Sequence, residues 1–157
     1  MKKNILNTYS KFFKRSIQEV SKELLDLEFH ELIEKRNLIS QKKILVIIGM
    51  TGDYQGRFLL ESSEETAETI TEIMNYAPLE SEEDLYLYMG EFANILSGRL
   101  ITYINNSEQN KIIRLSPPAI FSGRNLKIST DNIEDRKIYY GNKDIYLKLD
   151  LAFKGVE

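Results

Sequence analysis

The chain has 157 residues, no cysteine and a single histidine, His30. That excludes disulfides, thiolate catalysis, Cys-based zinc sites, His-rich metal sites and His-dependent triads. A net charge of −3 with scattered Lys and Arg argues against nucleic acid or an anionic membrane as partner, and the length fits one domain, 1–157, with a real core.

The N-terminal stretch is no signal peptide, because Lys11, Lys14 and Arg15 interrupt any apolar segment. The longest apolar run, Ile44 to Ile48, is too short to span a bilayer, so a cytoplasmic protein is expected. Tyr9, Phe13, Ile17, Val20 and Leu24 recur at helical spacing and predict an amphipathic helix over roughly residues 5–25. Residues 27–42 read as an irregular connection or an exposed strand. Ile44-Leu45-Val46-Ile47-Ile48 is β-branched and continuous, as expected of a central strand. Thr51-Gly52-Asp53 signals a turn and Gly56 to Leu60 the return strand, giving a hairpin with a longer loop. The glycines there match neither a phosphate loop nor a dinucleotide fingerprint.

Ser62 is placed to cap a second helix, with Glu65 as its reciprocal partner, and Ala67, Ile70, Ile73 and Met74 form the buried face. Asn75 to Pro78 ends it. Ser81-Glu82-Glu83-Asp84 repeats the start signal and opens a long third helix, closed by Asn105-Asn106-Ser107. Ile112 to Leu115, Ala119 to Phe121, Leu126 to Ile128 and Ile138 to Tyr140 read as strands. Pro117 and Pro118 lack a donor and mark an edge or a crossing loop. In the last strand Ile145, Leu147, Leu149, Leu151 and Phe153 alternate with Tyr146, Lys148, Asp150 and Ala152. The second set is expected to be partly wet. The fold class is therefore α+β: two layers, long helices packed on a largely antiparallel sheet.

The long helix carries the candidate site. Leu85, Met89, Phe92, Leu96, Leu100 and Tyr103 share one face at about 100° per residue. Glu91, Asn94 and Gly98 fall together on the opposite face. On spacing alone the pair reads as a solvated surface. Leu87, Ile95 and Ile101 around it, and the gap left by Gly98, argue instead for a docking surface. An amide donates and accepts hydrogen bonds at once, which suits holding a water in line with an electrophile. Glu72-Ile73-Met74-Asn75 repeats the spacing, but at a helix end, where Asn75 is expected to cap.

Gly90-Glu91-Phe92-Ala93-Asn94-Ile95-Leu96-Ser97-Gly98 resembles the Glu-x-x-Asn-x-x-x-Gly helix of the CheX family of chemotaxis phosphatases, relatives of CheC and FliY. Ile47 to Gly56, Ser63 to Ala67 and Ser116 to Gly123 resemble further family segments in the expected order. Leu87 departs from the wider pattern, which carries Asp or Ser there. The resemblance implies a single CheX-like domain that hydrolyses the aspartyl phosphate of a CheY-like response regulator. Asn94 would place the water and Glu91 would pair with the regulator's lysine. Leu87, Ile95, Gly98 and Ile101 would contact the partner. The chain would need no cofactor of its own, with Mg2+ held by the regulator, and would be a homodimer joined through sheet strands. The reading from another class is a non-catalytic module that binds a response regulator or a flagellar-switch component through the same helix.

Overall fold

The computed structural model describes residues 2–33, 41–107, 111–128 and 134–154. Helix α1 (Lys2–Leu25) is followed by a two-residue strand β1 (His30–Glu31) and then by the hairpin β2 (Lys43–Gly52) and β3 (Gln55–Ser63). Helices α2 (Glu64–Asn75) and α3 (Glu82–Ser107) come next. The chain ends in β4 (Ile113–Leu115), β5 (Ala119–Gly123), β6 (Glu134–Gly141) and β7 (Tyr146–Lys154). Glu34, Lys35 and Arg36 of the expected connection lie outside the described residues.

The seven strands form one antiparallel sheet in the order β1-β6-β7-β3-β2, with β4 and β5 sharing the far edge of β2. β5 pairs with Lys43 to Ile47 and β4 with Met50 to Gly52. Between them run Ser116, Pro117 and Pro118, so the prolines fall at the crossing where no ladder donor is needed. There the Ser116 amide donates to the Gly49 carbonyl at 2.9 Å, and the Gly49 amide to Ser116 Oγ at 2.8 Å.

The helices cover one face of this sheet. Tyr9, Phe13, Ile17 and Val20 of α1 and Leu85, Met89, Phe92, Leu96 and Leu100 of α3 are buried against Ile44, Val46 and Ile48, Phe58 and Leu60, and Leu147, Leu149 and Leu151. These strand residues alternate, as a period of two requires, so the core is a single layer between sheet and helices. Two-layer α+β packing with a largely antiparallel sheet is what the sequence pattern implied.

Several local expectations are corrected. The hairpin is tighter than a longer loop: β2 runs on to Gly52 and β3 starts at Gln55. Gly52, at φ 109°, makes the turn, and Asp53 ties it down by accepting from the Ile112 amide at 2.6 Å. The cap of α2 is Ser63, whose Oγ accepts from the Thr66 amide at 3.1 Å; Ser62 is still in the strand, opposite Ile44 and Leu147. Asn75 does not cap the other end, which turns on Tyr76 at φ 56°. Leu126 to Ile128 is not a strand. Gly123 at φ 153° and Asn125 at φ 60° take the chain out of the ladder first.

The alternate face of β7 is also drier than expected. Tyr146, Asp150 and Ala152 are buried, although they point away from the helices.

Candidate functional site

Helix α3 is held along its length by different neighbours. At its start, Ser81 Oγ accepts from the Asp84 amide, and Lys42, just before β2, pairs with both Glu64 and Glu82 at 3.0 Å. The two carboxylates raise the Lys42 ammonium's pKa, a surface effect of small energetic weight. In the first half, Tyr88 donates to Asn75 Oδ1 at 2.6 Å on the α2 side. On the other side Tyr86 shares a hydrogen bond with Ser122 Oγ at 2.8 Å. Gly90 packs under the proline crossing, where a Cβ would come 2.9 Å from Ile120 Cδ1 and 3.7 Å from Pro118 Cγ. A methyl at Gly90 would make the tip of the Ile120 side chain shift.

In the second half, α1 and β4 are the neighbours. Arg99 makes two bonds to Glu23, at 2.7 and 2.6 Å, and one to Glu19 at 3.2 Å. Tyr103 donates to Glu19 at 2.6 Å, and that hydrogen bond is the main reason the Glu19 carboxyl sits below its ordinary pKa. The Asn105 amide bonds both backbone groups of Ile113.

Between these fixtures the outer face of α3 is left open. Glu91 and Asn94 are both exposed, one turn apart, and neither side chain has a hydrogen bond or ion pair with the described residues. Leu87, one turn before Glu91, is 65% exposed. Ile95 and Gly98 are half-buried, and nothing lies within 4 Å of where a Gly98 Cβ would be. Ile101 does not belong to this face. It shares Asn94's azimuth but is only 7% exposed and joins the core, on the side of α3 where Asn105 is bonded to Ile113 of β4. Helical spacing sets a direction and not how far the neighbours reach along it.

The second Glu-x-x-Asn is built differently. Glu72 is exposed, but the Asn75 amide is occupied by Tyr88. Beside it Tyr76, the left-handed residue that ends α2, is 92% exposed.

Among the described residues no group of His, Asp and Glu could hold a metal ion, and no helix is long and apolar enough to cross a membrane. The family model for the chemotaxis phosphatase CheX matches residues 44–140, from the start of the central strand into β6 and across the whole of α3. The chain belongs to the CheX family. Among its CheX relatives is the CheY-P phosphatase CheX of Thermotoga maritima, 29% identical over 89 residues, which are 55% of this chain and 56% of that protein. The chain thus matches about half the length of that curated relative. CheX structures share the fold at lower identity. The CheX of Desulfovibrio desulfuricans superposes with a TM-score of 0.79 at 16% identity, covering 94% of this chain and 99% of that one. CheX in the CheX-CheY-BeF3-Mg+2 complex from Borrelia burgdorferi superposes with a TM-score of 0.76 at 20% identity, covering 94% and 98%.

Proposed function

We propose that this CheX-family chain is a phosphatase for the aspartyl phosphate of a CheY-like response regulator. The observation that carries the reading is the Glu91–Asn94 pair, exposed, unpaired and one turn apart on a helix fixed at both ends. Asn94 enters the regulator's site and holds a water with its amide, N–H groups and carbonyl oxygen together fixing the water's orientation. The water oxygen attacks phosphorus, the bond from phosphorus to the aspartate oxygen breaks, and inorganic phosphate leaves. Fixing the water in advance removes part of the orientational entropy from the barrier, on the order of several kcal/mol. Because Asn94 sits mid-helix, it needs no loop closure to reach that position.

Glu91 pairs with a lysine of the regulator and fixes the register of docking. Leu87, Ile95 and Gly98 supply the contact surface around the pair; Ile101, buried, does not. Mg2+ belongs to the regulator's own site, in keeping with the Borrelia complex named above. In this reading the protein works in the cytoplasm as a homodimer joined through sheet strands. The five-residue strand β5, with Phe121 half-exposed, lies at one edge of the sheet and is the edge we assign to this pairing.

The test is inorganic phosphate release from a phosphorylated CheY-like regulator of the same organism, with magnesium, with and without this protein and its Asn94→Ala variant. Strong acceleration that falls at least about a hundredfold in the variant, roughly 3 kcal/mol of barrier, supports both the activity and the role of Asn94. Full activity in the variant refutes the mechanism. Binding without acceleration would make the chain a non-catalytic module using the same helix.

A further inference from the structure

The face of the sheet turned away from the helices carries a feature that the α3 site does not use. Leu45 of β2 and Leu59 of β3 are buried there, outside the core between sheet and helices. They are roofed by Leu126 and Ile128, in the segment that leaves β5. Floor and roof enclose a cavity of about 330 Å³, the lower end of the size range of small-molecule sites.

Its polar lining is lopsided. Four lysines, from β2, β6, β7 and the roof segment, meet two carboxyl groups, in a chain whose net charge is −3. Glu61 is already committed, to Lys43 at 2.8 Å and Lys148 at 3.5 Å. Lys127 has no ion pair among the described residues, and Lys137 has one long contact, 3.7 Å to Asp135. Asp150, opposite Lys137 in the β6–β7 ladder, is only 3% exposed and is hydrogen-bonded to the Asp135 carboxyl. Two carboxyl groups this close cannot both be ionised without cost, so one of them keeps a proton beside the lysines.

We propose that this cavity binds a small anionic amphiphile, its head group held by Lys127 and Lys137 beside Asp150 and its apolar body lying between Leu45 and Leu59 below and Leu126 and Ile128 above. Carboxylate, sulfonate and phosphate head groups all qualify, since the lysines recognise the charge they share. Burial, with Asp135 as a second cause, raises the Asp150 carboxyl's pKa, so it can lend a proton to an oxygen of the head group instead of repelling it. The site is independent of the phosphatase reading, because it lies on the opposite face of the sheet from α3.

Naphthalene-1-sulfonate is a probe of suitable size and charge. Titrated into the intact protein, it is expected to give saturable NMR shifts at the methyls of Leu45, Leu59, Leu126 and Ile128. Neutral naphthalene should bind much more weakly. Lys127→Glu, a change at an exposed position, should weaken binding by about tenfold, or ~1.4 kcal/mol. Lys137→Glu should do the same and serves as the second variant. The proposal is overturned if shifts do not saturate, if they map to Leu87 and Ile95 instead, or if both charge reversals leave the affinity unchanged.

Discussion

Replacing Gly98 by alanine separates what α3 needs as a helix from what it presents as a surface. A glycine inside a helix is about 0.8–1.0 kcal/mol less favourable than alanine, because it loses more backbone freedom on folding. Whether that gain is realised depends on the space beside it. At Gly98 an added Cβ meets nothing within 4 Å, so the whole of it, roughly 1 kcal/mol, is expected in the variant. For a chain of this length that is a rise in Tm of about 2–4 °C. Gly90 is the control. Its Cβ would come 2.9 Å from Ile120 Cδ1, so the tip of that side chain must shift, and Tm should rise by somewhat less. Circular-dichroism melts of both variants, with urea titrations alongside, give the comparison. Phosphate release then reads the second role. If the gap admits the regulator, Gly98→Ala lowers kcat/KM by about tenfold, ~1.4 kcal/mol, while the protein becomes more stable. A Tm that fails to rise would refute the structural argument. Unchanged kcat/KM would remove Gly98 from the docking surface.

Ser63→Ala should cost about 1 kcal/mol through loss of the α2 cap, read as a lower urea midpoint. Tyr103→Phe removes the donor that joins α3 to Glu19 of α1, and a small fall in the urea midpoint is expected in the same assay. The third concerns pH. Burial and Asp135 raise Asp150 from the ordinary carboxyl range to about 7, so the folded state binds its proton more tightly than the unfolded state. That contribution is complete below the unfolded pKa and is lost as pH rises through about 7. Urea midpoints should therefore fall between pH 5 and pH 8. In Asp150→Asn the fall should shrink, by on the order of 2 kcal/mol in free energy. An unchanged slope in that variant would refute the assignment. Glu19 and Glu23, whose carboxyls are lowered chiefly by hydrogen bonds from Tyr103 and Arg99, act with the opposite sign and at lower pH.

What the sequence disclosed, it disclosed through periodicity. The spacing of Tyr9, Phe13, Ile17, Val20 and Leu24, and of Met89, Phe92, Leu96, Leu100 and Tyr103, identified the buried faces of two helices; all but the last of each series are in the core, Leu24 packing partly buried against it and Tyr103 bonding Glu19 at its margin. What it could not disclose is what lies over a second face. Tyr146 and Ala152 alternate correctly with the core residues of β7, yet a period of two carries no information about a covering on the other side of the sheet. Ile101 failed for the same reason on a helix. Of the two adjacent serines before Glu64, Ser62 has the Glu three residues on that the capping pattern asks for, yet Ser63 is the cap. Only the pairing of Ser62 with Ile44 and Leu147 shows that the ladder still holds it. In the site, Glu91, Asn94 and Leu87 were legible because nothing packs on them.

The hydrogen bond from Tyr88 to Asn75 has a bearing on how such a surface can be gained or silenced. The chain spells Glu-x-x-Asn three times, once outside the described residues, and the asparagines of the other two, Asn75 and Asn94, differ by a neighbour, not by their own identity. One phenolic hydroxyl on an adjoining helix retires an amide from chemistry while leaving every letter of the pattern intact. A lineage could therefore switch a second site off, or recover one, by substitution at a position outside the motif. Counting copies of a signature in related chains measures opportunity; the hydroxyls within reach of each asparagine decide how many are open for use.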